Sequence, residues 1–132
     1  MRVVILGCGK LGSRLAVKLS EGGNQVIILD RDPDALKMLG LHFRGERFAG
    51  SGLVEENMTR AFAKGADVFV ASTDKDNVNL MMAQWVKIKH KVPRVIARVY
   101  DPILAKSFHA LGIETVCPTD MALDAMLSLL NA

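Results

Sequence analysis

The chain opens with an apolar, β-branched run, Val3-Val4-Ile5-Leu6, that breaks straight into Gly7-Cys8-Gly9-Lys10-Leu11-Gly12. A buried-type strand that ends in G-x-G-x-x-G and enters a helical pattern implies a βαβ unit whose backbone approaches a phosphate closely. The first glycine permits the tight turn, the second lets main chain come near a pyrophosphate, and the third lets helix pack on strand. The helix N-terminus beyond them favours an anion, because its leading N–H groups are unpaired and its dipole is positive there. A second run, Val26-Ile27-Ile28-Leu29-Asp30, ends in an acid at about the 20-residue distance that the fingerprint requires. A carboxylate at that point accepts hydrogen bonds from the ribose hydroxyls of an adenosine.

A chain of 132 residues builds one domain with a single core and no second one. Half of its residues are hydrophobic and the mean hydropathy is +0.22, as expected of a parallel sheet covered on both faces. No apolar run approaches the roughly 18 residues of a membrane span. The glycine-broken start lacks the features of a secretory leader, so a cytoplasmic location is expected. Net charge is only +3, with acids and bases interspersed, so nucleic-acid binding is not expected. The densest basic stretch, Lys87, Lys89, His90, Lys91 and Arg94, lies at the C-terminal end of an expected helix whose first turn carries Asp74 and Asp76. Both ends then complement the helix dipole. Cys8 and Cys117 have neither zinc-site nor disulfide-framework spacing. Cys8 sits at a helix N-terminus, where a thiol pKa can fall, or is a small filler in the glycine motif.

The remaining elements alternate. Leu11, Leu15, Ala16 and Leu19 recur at helical spacing and Gly22-Gly23-Asn24 stops that helix. Asp32-Pro33 reads as an N-cap followed by proline at the first helical position, opening a short helix through Leu36 and Leu39. Segment 41–50, interrupted by His42, Arg44, Glu46 and Arg47, is expected to be an edge strand, which tolerates such charges. Gly50-Ser51-Gly52 turns the chain on the same side as the first glycine loop, and a helix over 53–64 follows with Gly65 as its cap. Strands are expected over 67–71, 95–97 and 114–117, and helices over 76–90, from 101 through 111, and from 119 or 120 to nearly the C-terminus. In the helix over 76–90, Val78, Met81, Met82, Trp85 and Ile88 form the apolar face and Leu80 lies outside it. The surplus of apolar surface hints at a partner helix.

The expected fold is therefore α/β: a Rossmann-like, doubly wound parallel sheet of six strands in order 3-2-1-4-5-6, in a single domain. Ligands bind such sheets at the switch point between strands one and four. Ser72, Thr73 and Asp74 lie at its mouth, where the same residues serve either as helix caps or as ligand contacts. Arg98 stands at the end of the fifth strand.

The runs 7–12, 28–33 (Ile-Leu-Asp-Arg-Asp-Pro), 71–80 (Ala-Ser-Thr-Asp-Lys-Asp-Asn-Val-Asn-Leu) and 93–99 (Pro-Arg-Val-Ile-Ala-Arg-Val) together resemble the N-terminal lobe of the Trk/Ktr potassium-uptake regulators, the RCK or KTN domains. The resemblance extends from Val4 to Pro118 and treats residues 1–132 as one RCK N-terminal domain of TrkA-N type. It implies a cytoplasmic regulatory subunit on the inner face of the membrane. Such a subunit forms a dimer, tetramer or octameric ring beside an integral-membrane potassium transporter or channel. NAD(H) or an adenine nucleotide (ATP, ADP or AMP) biases the gate. By position, Gly7, Gly9 and Gly12 would approach the phosphates, with Leu11 in the same turn and Lys10 reaching a terminal phosphate. Asp30 would hold the ribose, Arg31 would flank the adenine, and Ser72, Thr73 and Arg98 would lie along the rest of the ligand. Gly50 and Ser51 complete the site, although Ser51 stands where the family usually has an acid. The family's C-terminal lobe has no counterpart here, which implies a single-lobe regulator or a partner chain that supplies it.

An enzyme is the rival reading: a small NAD-dependent oxidoreductase or its cofactor half. His42, His90 and His109 all fall away from the switch point. G-x-S-x-G, H-E-x-x-H, Walker A and Tyr-x-x-x-Lys patterns are missing, Tyr100 being followed four residues later by Leu104. No catalysis is therefore expected. Asp30 would repel a 2′-phosphate, so NAD or a simple adenine nucleotide is favoured over NADP.

Overall fold

The computed structural model describes all residues, 1–132. Six strands, β1 (Arg2–Leu6), β2 (Gln25–Asp30), β3 (Glu46–Ala49), β4 (Val68–Ala71), β5 (Arg94–Arg98) and β6 (Glu114–Val116), form one sheet in the order β3-β2-β1-β4-β5-β6. Every pairing is parallel. Helices α1 (Lys10–Glu21), α2 (Glu55–Ala61), α3 (Asp76–Lys89), α4 (Pro102–His109) and α5 (Pro118–Leu130) connect or follow the strands, and a 3-10 turn spans Ala35–Leu39. This is the doubly wound order expected from the alternation of apolar runs.

In place of the single core expected from the chain's length, the pleated sheet separates two, one on each face. Val3, Ile5, Val26 and Ile28 face one way, onto Ala16 of α1 and Leu36 and Leu39 of the 3-10 turn. Val4, Leu6, Ile27, Leu29 and Phe69 face the other way, onto Met58 of α2 and onto α3 and α4. The central strands are apolar at every position because both faces are covered. Full burial of each such side chain contributes about 1.5–3 kcal/mol relative to exposure.

Several sequence expectations shift. The edge strand occupies only Glu46–Ala49, the end of the segment expected to form it, and 41–45 run up to it as loop. Here Phe43 is the buried anchor, and Gly45 passes so close to Val26 O and the Phe43 ring that a Cβ would clash with both. Helix α2 is shorter than expected, ending at Ala61 with Phe62 as its cap, while Gly65 forms a later turn at φ +75°. Asp32 does not cap a helix opened by Pro33. It accepts from the Asp34 N–H at 2.9 Å ahead of a 3-10 turn that starts at Ala35. Asp74 precedes α3 rather than lying in its first turn, and Lys75 is the N-cap without a side-chain bond. Helix α5 starts at Pro118 with Cys117 as N-cap, ahead of Thr119 and Asp120.

The buried face of α3 is the largest correction. Asn79, Leu80, Met82, Ala83 and Val86 face the sheet, while Met81 and Ile88 are exposed. Leu80 is thus a core residue, and of the expected face Met81 and Ile88 turn to solvent while Met82 stays buried and Val78 and Trp85 pack, partly buried, against the core. The basic stretch at the end of α3 is used in tertiary contacts. Lys87 donates to Gly112 O, Lys89 pairs with Glu55 at 3.9 Å, and Arg94 forms a forked bond to Glu114 at 3.1 and 3.0 Å.

Candidate functional site

Parallel pairing sets Leu6 beside Leu29 and Ala71, and Ala71 beside Ala97. The segments that follow these residues, 7–9, 30–31, 72–73 and 98–100, therefore emerge along one edge of the sheet. Gly50 joins them, its N–H donating to Asp30 O at 2.9 Å.

The three loop glycines have different surroundings. Gly7 sits at φ +104°, and a Cβ on it would lie 2.8 Å from the backbone of Ser72 and Thr73. The first turn is therefore pressed against the end of β4. At Gly12 a Cβ would come within 2.0 Å of Gly7 O and 2.9 Å of Ser72 Oγ, so α1 packs on the loop only with hydrogen there. A Cβ on Gly9 would meet nothing within 4 Å. That open position, together with an α1 N-terminus that has no side-chain cap and no acid in its first turn, leaves the leading N–H groups available to an anion. Lys10, Leu11 and Arg31 are exposed around the same loop.

Asp30 is half-buried at the end of β2 and holds two loops. Its Oδ2 accepts from the Cys8 N–H at 2.8 Å and its Oδ1 from the Asp32 N–H at 2.9 Å. A carboxylate oxygen accepts more than one hydrogen bond, so ribose hydroxyls remain within its capacity. Across the edge, Ser51 Oγ accepts from the Leu53 N–H at 3.1 Å, while Asn57 Nδ2 donates to Ser51 O at 3.0 Å. The Ser72 hydroxyl is buried and donates to Leu6 O and Gly7 O, both at 3.2 Å. Its side chain thus ties β4 to the glycine loop.

Cys8 departs from the lowered thiol pKa that its place at a helix N-terminus suggested. Its Sγ is buried against Ala35 O at 3.3 Å, and its pKa is raised to about 11. Burial is the main cause, the neighbouring Asp30 charge adds to it, and Arg47 partly offsets both. The thiol is a packed filler.

On the other side of β1, Asn79 is a residue the pattern of apolar spacing did not single out. Fully buried on α3, it accepts from Thr73 N and Thr73 Oγ1 at 2.9 and 2.6 Å and donates to Thr73 O and Arg98 O at 3.0 and 2.8 Å. Arg98 adds its own bond from Nη2 to Thr73 O at 2.8 Å, and its guanidinium carbon lies 4.8 Å from the Tyr100 ring centroid, within cation–π range. The Arg98 Nε is buried with no acceptor. One helical turn earlier, Asp76 accepts from Tyr100 N and Asp101 N at 2.8 and 3.0 Å, and Asp101 in turn caps α4 through the Ile103 N–H. A polar residue amid Leu80 and Met82 would have been the sequence signal for this cluster, because buried amides are kept only where all their bonds are made.

Comparison with known proteins agrees with this fold. The sequence model of the TrkA-N domain matches residues 3–119. The chain is 38% identical over 127 residues to the Trk system potassium uptake protein TrkA of Streptomyces coelicolor, covering 96% of this chain and 57% of that protein. It spans a little over half the length of this and other curated TrkA relatives, and about a quarter of the TrkA proteins of Halomonas elongata and Vibrio alginolyticus. Among solved structures, the fold is shared with the Shewanella denitrificans Kef CTD in AMP-bound form, at TM-score 0.80 and 24% identity over 100% of this chain and 83% of that one. It is also shared with the GsuK channel bound to NAD, at TM-score 0.82 and 20% identity over 98% of this chain and 23% of that one. With a six-stranded Rossmann-like sheet and a family match over residues 3–119, the chain belongs to the TrkA-N domain family.

Proposed function

We propose that this chain is the nucleotide-sensing domain of a cytoplasmic regulatory subunit for potassium uptake, acting on an integral-membrane transporter or channel and catalysing no reaction. The observation that carries the reading is the joining of two features: membership of the TrkA-N family and an open glycine crevice whose loop is tied to Asp30. NAD(H), ATP, ADP or AMP is the proposed ligand. Gly7, Gly9, Lys10, Leu11 and Gly12 would hold phosphates, Asp30 and Arg31 the adenosine, Gly50 and Ser51 its outer side, and Ser72, Thr73 and Arg98 the remainder. The residues fit such a ligand, since Gly9 leaves space and the start of α1 has donors without side-chain acceptors.

Regulation requires that ligand bind one assembly shape better than another, for the shift in equilibrium equals the difference in the two binding free energies. Asn79 and Asp76, three residues apart on α3, link the crevice residue Thr73 with the segment that leads into α4. Helices α3, α4 and α5 in turn carry exposed Ile88, Ile103, Leu127 and Leu130. Apolar surface of this extent supports self-association into a dimer or ring and contact with a partner.

Calorimetric titration with NADH, NAD, ATP, ADP and AMP, alongside mass in solution, tests the proposal. Binding of at least one nucleotide by a dimer or larger species, without turnover of NADH, is the expected result. Oxidation of NADH coupled to reduction of a small substrate would favour the oxidoreductase reading, and binding of none would overturn the nucleotide reading.

A further inference from the structure

Strand β1 ends at the glycine loop, and at its opposite end the chain builds a second concavity. The N-terminal ends of β1, β2 and β3, the last turn of α1 and the segment before β3 enclose a cavity of about 490 Å³. The five residues of β1, at about 3.3 Å each, keep it roughly 15 Å from the crevice. Three cations stand on its wall, Arg2, Arg44 and Lys64, against one carboxylate, Glu46. None of the three is in an ion pair.

The backbone that carries these cations is fixed. Arg2 donates from Nε to Gly65 O at 2.8 Å and from Nη1 to Gln25 Oε1 at 3.2 Å, which leaves Nη2 without a partner and anchors the turn next to Lys64. The Arg44 N–H donates to Ser20 Oγ at 3.2 Å, and Gly45 beside it is pressed against Val26 O, where a Cβ would lie at 2.4 Å. The side chains of Arg44 and Lys64 contribute no hydrogen bond or ion pair to the fold. Like charges gathered on one wall repel each other, and an anion between them turns that cost into attraction.

The lining also defines the ligand. Only Val26 and Ile27 on the wall are apolar, so a nucleobase finds no face to stack on. Guanidinium groups suit oxyanions, which take two parallel N–H bonds from each fork. We infer that this cavity is a second anion site, separate from the nucleotide crevice and sharing no residue with it, for a compact multivalent phosphate.

The probe is inorganic diphosphate, titrated calorimetrically at fixed ionic strength into wild type, Arg44→Glu, Lys64→Glu and Gly9→Ala, with a thermal melt on each. The expected result is a saturable site that either charge reversal weakens by about tenfold or more and that Gly9→Ala spares. Arg44→Gln and Lys64→Gln, which remove charge without reversing it, should give smaller losses in the same direction. Melting temperatures of these variants should stay close to wild type, so that lost affinity is not lost folding. Absence of saturable binding to the wild-type chain overturns the inference. Binding that Gly9→Ala abolishes and the charge reversals leave intact overturns it too, because the anion then sits on the glycine loop.

Discussion

The Asp30 carboxylate accepts a hydrogen bond from the Cys8 backbone N–H at 2.8 Å, so the acid expected to grip a ribose also shapes the loop expected to grip phosphate. Removal of the acid acts on both. Asp30→Ala should weaken nucleotide binding by at least about tenfold, and it should cost about 1–3 kcal/mol of stability because the N–H groups of Cys8 and Asp32 lose their acceptor. Asp30→Asn separates the effects, since its amide oxygen still accepts from one of the two loops. Titration calorimetry beside chemical denaturation measures both; unchanged affinity in Asp30→Ala would remove Asp30 from the site.

Gly9 and Gly12 should respond oppositely to the same added methyl group. In Gly12→Ala the new Cβ would lie 2.0 Å from Gly7 O, which no rearrangement short of moving α1 off the sheet relieves. That variant should lose several kcal/mol or fail to fold, as severe overpacking does. Gly9→Ala meets nothing within 4 Å and its φ of −86° suits any residue, so its melting temperature should stay close to wild type. Its nucleotide affinity should nonetheless fall, because the methyl group occupies the space a phosphate would take. A Gly9→Ala protein that is stable and binds normally would mean that ligand does not approach this loop.

Much of this was readable in advance, for physical reasons that differ between regions. The central strands are apolar at successive positions because both faces are covered, which makes Val3–Leu6 and Val26–Leu29 unmistakable. Pro102 behind Asp101 marked a helix start that the structure keeps, with Asp101 accepting from Ile103 N at 2.9 Å. The face of α3 was misassigned because its buried stripe contains an amide. Asn79 breaks the apolar pattern, and Met81 and Ile88 offer a competing one that ends in solvent. Asp32 misled similarly, since an Asx turn and an N-cap use the same side-chain bond to a nearby N–H. Of the candidate site residues, the glycines and Asp30 were legible through spacing, whereas the support behind Thr73 and Arg98 depends on tertiary contacts between α3 and two strand ends.

Acidification should weaken the fold through His90. Its ring stacks on Phe62 at 4.6 Å and meets the Trp85 edge at 4.9 Å, with Nε2 buried and unpartnered. Burial, with a smaller push from Lys89 and an opposing pull from Glu55, holds its pKa below the ordinary 6.5. The folded state therefore binds its proton less readily than the unfolded chain, so this contribution is intact above pH 6.5 and is lost as pH falls through the lower folded value. Thermal midpoints measured between about pH 5 and 8 should decline on the acid side. His90→Phe keeps the stacking surface but cannot take up a proton, and it should flatten that part of the decline; an unaltered profile would relocate the acid sensitivity to carboxylates elsewhere.

Helix α5 buries none of its residues, yet Met121, Leu123, Met126, Leu127 and Leu130 all lie along it. A helix of 13 residues with that composition is marginal alone in water, since isolated helices of about 12–15 residues rarely hold without packing. Its stability must come from contact with another surface, and self-association is the simplest source in a family proposed to act as rings. Leu127→Glu, alone or with Leu123→Glu, should leave the melting of the sheet domain nearly unchanged, because neither side chain belongs to the cores on its two faces. The same variants should move the sedimentation coefficient toward that of a 14.4 kDa monomer and reduce helical ellipticity as α5 frays. If the wild-type chain already sediments as a monomer with α5 intact, the exposed face is not a self-association surface, and the helix holds without the contact argued for it.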